Sequence, residues 1–435
     1  MKIQNVKGGY DFLPKEQKIR EYINNIIIKN FKEYGFNSIE TQILCYYDML
    51  ADKYDEKNDI LKEIYRLTDQ GNRSLGLRYD LTVPFAKFIA LNKNNISFPF
   101  KRYEISKVFR DGPVRVGRDR EFTQCDADVV GVKGQLIEAE LLSLYVKTFK
   151  ELGIDIYIKY NSRNLMNGLI VEAGICKELI PCVTTIIDKK EKISEIEFTN
   201  KLLELDLNMD NIKKLNSFLN MSLENLKSTF LNSNNIFIRE GLTEIIELSK
   251  YLVAVGVNDA CIFDLTLARG QNYYTGNVFE VYDKKQRIKG SIGAGGRYDK
   301  MIGNFISDGN EYPCVGISFG LSAIYEILKN NNDIILSSTD IYIIPIGQEI
   351  PSLNIANILR SKGLKVEIEM QDRKLKKSLA YANKQKVKYV VIIGDNEINN
   401  KKLIFKNMLN GNNFEIKLDN INELKKEDLL KKITT

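Results

Sequence analysis

The chain has 435 residues, 44% hydrophobic and 28% charged, which is too long for one ordinary core and predicts two or three domains. It contains no histidine, and this excludes a Ser-His-Asp or Cys-His relay and an imidazole metal site. The net charge of +6 agrees with a nucleic-acid partner but is weak support, because a Lys-rich composition gives the same sum. Chemistry in this chain must therefore depend on Arg, Lys, carboxylates, Tyr, backbone amides or a bound ion, which favours electrostatic catalysis on a phosphate.

Neither a membrane span nor a disulfide framework is indicated. The longest strongly apolar runs, at 341–346 and 389–393, fall far short of the roughly 20 residues that a bilayer crossing needs, and the N-terminus lacks a secretory apolar region. Six cysteines are scattered without a CxxC pair, which favours buried free thiols. We therefore expect a cytoplasmic protein.

The first elements follow from the spacing of apolar residues. Residues 16–34 have a helical period that ends at Gly35, and residues 135–152 have another that ends at Gly153. Residues 154–160 then predict a strand. From 161 to 258 the chain has long helical patterns rich in Lys, Glu and Asn. We interpret this segment as a helical insertion in a core domain.

Residues 98–131 combine strand-type residues with a series of arginines between Arg102 and Arg120. One apolar run ends at Phe109, another begins at Phe122, and the connector contains Gly and Pro, which predicts two antiparallel strands joined by a long basic loop. Arg110 would leave the first strand where its guanidinium could meet a phosphate bidentately. A solvated hairpin with surface charge is the alternative interpretation.

Beyond the insertion, strand patterns resume at 262–267 and 277–282 and are followed by a glycine-rich connector at 290–299. Residues 312–328 predict a strand that turns through Gly320 into a helix. The chain from 340 then alternates strand, helix, strand, helix, strand, which is typical of a small α/β domain with a largely parallel sheet. These patterns predict a core domain at 1–160 and 259–330, the insertion at 161–258, a polar linker at 331–338 and an α/β domain at 339–435.

Two further segments contain arginine beside glycine or tyrosine. In LTLARGQNYYTG, Arg269 follows an apolar strand and precedes two tyrosines, although an exposed arginine at a packed strand end is the alternative. In GSIGAGGRYD, clustered glycines let the backbone approach a ligand or another strand closely. This segment lacks the strand-to-helix context of a dinucleotide fingerprint and the GK[ST] ending of a P-loop, so a bare glycine turn also fits.

Together these segments resemble the class II aminoacyl-tRNA synthetases, and within them the histidyl-tRNA synthetase family, from Val6 to about Met408. The resemblance is carried by LRYDLTVPFAKFIA from Leu77, by the hairpin with VFR and GRDREFTQCDADVVG, by LARG followed by YYTG, and by GGRYD. It implies an α+β catalytic core with an antiparallel six-stranded sheet flanked by helices. It also implies a helical insertion and a C-terminal α/β anticodon-binding domain.

The resemblance implies roles for individual residues. Arg110 and Arg269 would be catalytic and flank the α-phosphate of ATP, with Arg118 as a further ATP-binding residue. Carboxylates suit the binding of histidine, because one can pair with the α-ammonium while another accepts from the imidazole N–H. The residues that match the histidine-binding set are Asp80, Thr82, Gln124, Asp128, Tyr273, Tyr274 and Tyr298. The resemblance implies contact with the acceptor end of tRNA for Arg115. In the C-terminal domain, Arg373 and Lys374 are candidates for anticodon contact, and a helix with a solvated basic face is the alternative interpretation.

The implied function is a histidine–tRNA ligase, which activates histidine with ATP and transfers it to the 3′ end of tRNA(His). The resemblance also implies a homodimer, and Mg²⁺ accompanying ATP without a metal site built from protein ligands alone. One departure leaves an alternative open. Ser322 and Ala323 stand where the third signature motif of the family has Glu-Arg, whose arginine binds the γ-phosphate. A relative without ligase activity, which senses histidine or binds tRNA, would also fit this change.

Overall fold

The computed structural model describes residues 3–51, 59–269, 273–330 and 339–421. The chain divides into two compact units, Met1–Asn331 and Asn332–Thr435. The predicted linker at 331–338 lies outside the described residues, as do the last residues of the predicted α/β domain. In the described ranges, each helix lacks either the length or the apolar composition to cross a bilayer.

The strands of the first unit are short at its N-terminal end and longer toward its centre. In chain order they are β1 (Asn37–Ser38), β2 (Leu44–Tyr46), β3 (Arg66–Thr68), β4 (Ser74–Leu77), β5 (Phe100–Phe109), β6 (Glu121–Val130), β7 (Ile156–Ser162), β8 (Cys261–Phe263), β9 (Asn277–Asp283), β10 (Gly293–Arg297) and β11 (Cys314–Gly320).

Most of these strands form one eight-stranded sheet in the order β1-β5-β6-β11-β10-β9-β7-β8. The six strands from β5 to β7 pair antiparallel, while β1 and β8 pair parallel with the two edges. The predicted antiparallel six-stranded sheet is therefore confirmed, with one extra strand at each edge. A separate small sheet has the order β2-β4-β3.

The arginine-rich segment forms the predicted hairpin. Strands β5 and β6 pair from Phe100 with Val130 to Phe109 with Glu121, and the basic loop lies between them. Because side chains alternate along a strand, Phe122, Gln124, Asp126 and Asp128 project from one face of β6. Thr123 and Cys125 project from the other face, where they contact Arg20 and Asn24 of the first helix.

The glycine-rich segment and the segment before it differ from the prediction. The connector predicted at 290–299 is wrong, because its central residues form β10 inside the sheet. A side chain at Gly295 would clash with the carbonyl oxygen of Gly316 on β11, so glycine here permits close strand packing. The strand predicted at 262–267 ends at Phe263. Asp264 then accepts hydrogen bonds from the N–H and hydroxyl of Thr266, which favours a turn.

The helices of the first unit surround the sheet and fill the segment predicted as an insertion. They are α1 (Pro14–Glu33), α2 (Tyr47–Ala51), α3 (Asp59–Glu63), α4 (Thr82–Asn92), α5 (Leu136–Glu151), α6 (Arg163–Glu172), α7 (Ile180–Ile187), α8 (Glu195–Leu203), α9 (Met209–Leu219), α10 (Leu223–Phe230), α11 (Ile236–Ala254), α12 (Met301–Ile306) and α13 (Leu321–Leu328). Contacts place α6–α11 in the first unit with the sheet, so the insertion as a separate domain stays a prediction.

Aromatic packing fixes one face of the sheet against α1 and α5. Phe319 of β11 packs against Phe31, Tyr145 and Phe149, with ring centroids 4.7–5.8 Å apart. Burying a large apolar side chain of this kind contributes about 1.5–3 kcal/mol to stability. The six cysteines are free thiols. Three of them are buried as predicted, whereas Cys176 and Cys182 are exposed.

The second unit is an α/β unit around a five-stranded sheet in the order β13-β12-β14-β15-β16. Its elements are β12 (Ile341–Pro345), α14 (Glu349–Ser361), β13 (Val366–Ile368), α15 (Leu375–Lys384), β14 (Tyr389–Ile393), α16 (Asp395–Asn399), β15 (Lys402–Asn407) and β16 (Asn413–Lys417). The first three strands in space are parallel, as predicted. The antiparallel hairpin of β15 and β16 was not predicted.

Candidate active site

A cavity of about 240 Å³ opens on the central sheet of the first unit. Both predicted catalytic arginines, Arg110 and Arg269, line it. The whole set predicted to bind histidine lines the same cavity: Asp80, Thr82, Gln124, Asp128, Tyr273, Tyr274 and Tyr298. The fold therefore brings together residues that are almost 220 positions apart in the chain, and it places both cationic and acidic side chains around one cavity.

Arg110 is held at the end of β5 by aromatic rings. Its guanidinium lies 4.2 Å from the ring centre of Tyr79 and 5.0 Å from that of Phe122. Its Nε donates to the carbonyl oxygen of Tyr79 at 3.2 Å. The two terminal nitrogens have no hydrogen-bond partner within the described ranges, so the guanidinium is fixed in position while its fork remains available to an anion.

Arg269 is held by an ion pair. Its Nη1 lies 2.5 Å from Oε1 of Glu280 on β9, and its carbonyl oxygen accepts from Nη1 of Arg163 at 3.3 Å. Its Nε is buried and has no hydrogen-bond partner among the residues described. Burial lowers the pKa of Arg269, but Tyr274 and Glu280 raise it by more, so the side chain stays cationic. Residues 270–272, between this arginine and the two tyrosines, lie outside the described ranges.

Asp128 is the best-anchored carboxylate of the cavity. It forms an ion pair of 2.7 Å with Nη2 of Arg102, which is fully buried, and it accepts a hydrogen bond from the hydroxyl of Tyr298. Burial raises the pKa of Asp128, while Arg102 opposes that shift. Gly316 lies directly opposite on β11, and any side chain there would clash with the Asp128 carboxylate.

The start of α4 contributes the second predicted carboxylate. Asp80 accepts from the N–H of Val83 at 3.0 Å, as a capping side chain does at a helix N-terminus, and Thr82 is the first helical residue. On β6, Gln124 donates to the hydroxyl of Ser318 at 3.3 Å, and its Oε1 is buried without a partner in the described part of the chain. Asp80, Thr82 and Gln124 all line the cavity.

Asp126 also lines the cavity, and the sequence analysis did not single it out. It lies between Gln124 and Asp128 on the same face of β6, so the two-residue period of a strand could have identified it. Its Oδ1 is buried without a partner in the described ranges. Burial raises the pKa of Asp126 to about 8, and Asp128 adds to that shift, while Arg102 and a hydrogen bond with Ser318 oppose it.

Several residues predicted to bind ATP or tRNA lie away from the cavity wall. Arg118, in the hairpin loop, forms an ion pair with Glu63 at 3.2 Å with half of its side chain exposed. Arg115 lies in the same loop and lines another cavity together with Ser322. Ala323, like Ser322, is buried at the start of α13 and does not line the central cavity. The role of each of these residues stays a prediction.

The two tRNA-binding residues predicted in the second unit differ in how they are held. Arg373 pairs with Glu369 at 3.0 Å and lies 4.4 Å from the ring centre of Tyr381. Lys374, which immediately precedes α15, is exposed. Arg373 is thus tied to its own unit, whereas Lys374 is accessible to a partner.

An antiparallel core with an arginine-bearing hairpin, followed by an α/β unit, is the arrangement that the resemblance to class II aminoacyl-tRNA synthetases predicts. Comparison with known families gives a match to histidyl-tRNA synthetase over residues 8–324 and to an anticodon-binding domain over residues 340–428. A Bacillus cereus protein named histidine–tRNA ligase 1 is 45% identical over 97% of this chain and 99% of its own length. The chain belongs to the histidyl-tRNA synthetase family.

Solved structures agree with this assignment. The crystal structure of histidyl-tRNA synthetase from Nostoc matches with a TM-score of 0.85 at 29% identity, covering 97% of this chain and 99% of that one. A Bacillus halodurans structure described as an ATP phosphoribosyltransferase regulatory subunit/histidyl-tRNA synthetase matches with a TM-score of 0.74 at 20% identity, covering 90% of this chain and 98% of that one. At that identity the second match bears on the fold alone. The predicted family and fold class are confirmed.

Proposed function

We propose that this protein is a histidine–tRNA ligase, which activates histidine with ATP to histidyl-adenylate and transfers the histidyl group to the 3′ end of tRNA(His). Membership of the family supports the reaction class. The observation that carries the proposal for this chain is that Arg110 and Arg269 share one cavity with the acidic residues Asp80 and Asp128. A substrate that carries both a carboxylate and an ammonium group suits a cavity lined by both kinds of charge.

In the activation step, the carboxylate oxygen of histidine forms a bond to the α-phosphorus of ATP. The bond from that phosphorus to the bridging oxygen breaks, and pyrophosphate leaves. Arg110 and Arg269 would stabilise the charge that develops on the phosphate oxygens, because fixed donors in a desolvated cavity need no reorganisation during the reaction. No side chain has to carry a proton in this step, which suits a chain without histidine.

Recognition of histidine would come from the acidic part of the cavity. Asp128, fixed by Arg102 and Tyr298, would accept a hydrogen bond from the imidazole N–H. Asp80 and Gln124 would face the α-ammonium, and the rings of Tyr273 and Tyr274, whose centres are 4.6 Å apart, would close the pocket. A buried polar pocket of this kind discriminates strongly against side chains that leave its groups unpaired.

Mg²⁺ bound to ATP would supply positive charge for the β- and γ-phosphates. That charge matters here because Ala323 stands where the family has an arginine for the γ-phosphate. Arg118 is a candidate for contact with the nucleotide only if it leaves Glu63, with which it pairs through a half-exposed side chain.

The proposal is tested by histidine-dependent exchange of labelled pyrophosphate into ATP, followed by charging of tRNA(His) with labelled histidine. We expect exchange with histidine and not with other amino acids, and charging in the presence of tRNA(His). Histidine binding in calorimetry without any exchange at saturating ATP and Mg²⁺ would contradict the ligase and favour a histidine sensor.

For tRNA, we propose that the second unit binds the anticodon, with Lys374 and Arg373 on its surface, and that Arg115 of the hairpin loop contacts the acceptor end. Arginine and lysine in such positions can engage backbone phosphates or base edges. The match of residues 340–428 to an anticodon-binding domain supports the first assignment.

Removing residues 339–435 is expected to lower the efficiency of tRNA charging about 100-fold or more, because most of the phosphate contacts would be lost. Pyrophosphate exchange should change little, since the second unit has its own hydrophobic core around β12 and β14. Both rates are measured on the truncated and full-length proteins. An equal loss in the two rates would contradict the assignment of the second unit.

We also propose a homodimer. Apolar side chains are exposed on the small sheet of β2, β3 and β4, with Leu44 at 47%, Tyr46 at 59% and Leu67 at 42% exposure. An exposed apolar patch of this kind is typical of an interaction surface. Light scattering should give about twice the chain mass of 49.9 kDa, and a value equal to that mass at micromolar concentration would contradict the dimer.

Replacing Gly316 with alanine tests the placement of histidine on Asp128. The added methyl group would clash with the Asp128 carboxylate, and relieving such a clash costs typically 1–3 kcal/mol. We expect histidine affinity, measured by calorimetry, to fall about 10-fold or more. Gly290→Ala is the matched control, because its methyl group would meet no atom within 4 Å. Unchanged affinity in a folded Gly316→Ala protein would show that histidine does not depend on Asp128.

A further inference from the structure

We infer that Asp126 is a further substrate-binding residue, which is an uncharged acid in the empty cavity and ionises when the α-ammonium of histidine binds beside it, so that binding releases a proton. The inference rests on the proposed function, since it assigns a role within the same cavity. It also goes beyond the residues that the family resemblance identified.

The position of Asp126 points to a ligand. The side chain is only 4% exposed and lines the cavity, and its Oδ1 is buried without a partner in the described part of the chain. A buried polar atom that lacks a hydrogen bond costs free energy. Its neighbours on the same face of β6, Gln124 and Asp128, line the cavity too. A bound group that donates to Oδ1 would remove this cost.

Burial is the main reason why Asp126 is neutral in the empty cavity, because it raises the pKa of this carboxyl, and the nearby Asp128 adds to that shift. Arg102 is the nearest cation, but it already pairs with Asp128 at 2.7 Å and with Glu104 at 3.7 Å. Closely spaced buried carboxyls that outnumber their cations cannot all ionise. The titratable or charged groups near Asp126 are Arg102 and Glu104 on β5, Asp128 on β6, Asp80 before α4, Tyr145 on α5, Cys125 and Tyr274. Glu104 also pairs with Arg78 at 3.0 Å.

The charges that line the cavity favour the ammonium as the group of histidine that binds beside Asp126. Arg110 and Arg269 repel a cation and attract the carboxylate and phosphate. The ammonium must therefore lie toward the acidic residues, and it is the permanent cation of histidine at neutral pH, where imidazole is mostly uncharged. A cation beside Asp126 stabilises its ionised form and drives the proton off.

Calorimetry of histidine binding tests this inference. In phosphate and in Tris at pH 7, which differ in ionisation enthalpy, the apparent enthalpy for the unmodified protein should differ by an amount that corresponds to release of nearly one proton per histidine. Asp126→Asn should lose that release and bind histidine about 10-fold more weakly. An analogue without the α-amino group, 3-(imidazol-4-yl)propionate, should bind without the release. The inference would be overturned if histidine binding to Asp126→Asn, or binding of the analogue to the unmodified protein, released as many protons as histidine binding to the unmodified protein.

Glu244→Gln is the matched control. Glu244 is a partly buried acid, and burial raises its pKa to about 7, but it is bound by Ser162 and Asn164 and does not line the cavity. This variant should retain the proton release. Pyrophosphate exchange distinguishes a failure of this inference from a failure of the proposed function. If the unmodified protein catalyses exchange but Asp126→Asn releases as many protons as the unmodified protein, only the inference is refuted. Absence of histidine-dependent exchange would refute the proposed function instead.

Discussion

Replacing Arg269 with alanine is expected to slow histidine-dependent pyrophosphate exchange about 10²–10³-fold, because it removes one fixed donor to the α-phosphate. The buried Nε of Arg269 has no partner within the described ranges, and Glu280 holds the opposite end of the guanidinium. The group is therefore positioned before any substrate binds. Steady-state exchange at saturating histidine and ATP measures the effect on kcat.

Two further variants make this result specific. Arg269→Lys retains the charge but not the planar fork, so most of the loss should remain. Arg287→Ala is the matched control, since Arg287 follows β9, pairs with Asp283 at the end of that strand, and does not line the cavity. Exchange by Arg269→Ala within about threefold of the unmodified rate would contradict the assigned role.

Replacing Arg110 with alanine is expected to reduce exchange by a similar factor, about 10²-fold or more. Arg110 stacks between Tyr79 and Phe122, so lysine, which is not planar, cannot reproduce its position. The same exchange assay applies, with the KM for ATP determined alongside kcat. A rise in KM with unchanged kcat would mean that Arg110 only binds the nucleotide and does not stabilise the transition state.

Local patterns predicted the elements that surround the cavity. Apolar runs separated by Gly and Pro gave the β5–β6 hairpin with Arg110 at its turn, and helical spacing gave α1 and α5. The strand β10 was not predicted, because glycine has a low strand propensity. Glycine occurs in this strand because Gly295 packs closely against Gly316 on β11. The clustered glycines indicated a close approach of the backbone to a ligand or another strand, but the sequence did not show which of the two occurs.

The candidate site could be predicted only where a residue type and its motif coincide. Arg269 was found beside its two tyrosines, but its partner Glu280 lies on a separate strand, and no periodicity relates the two. Asp126 has the same spacing on β6 as Gln124 and Asp128 and could have been selected by strand alternation alone. Its Oδ1 lacks a hydrogen-bond partner in the described part of the chain. Its pKa is raised mainly by burial, with a further contribution from Asp128, and that burial comes from segments that meet only in the fold.

The most direct test of the central claim is a crystal structure of the protein bound to a non-hydrolysable histidyl-adenylate analogue, in which a sulfamoyl group replaces the phosphate. We expect guanidinium nitrogens of both Arg110 and Arg269 within about 3 Å of the sulfamoyl oxygens, and the imidazole on Asp128. The account would be contradicted if the two guanidinium groups did not contact the same bound analogue, or if the analogue bound outside this cavity.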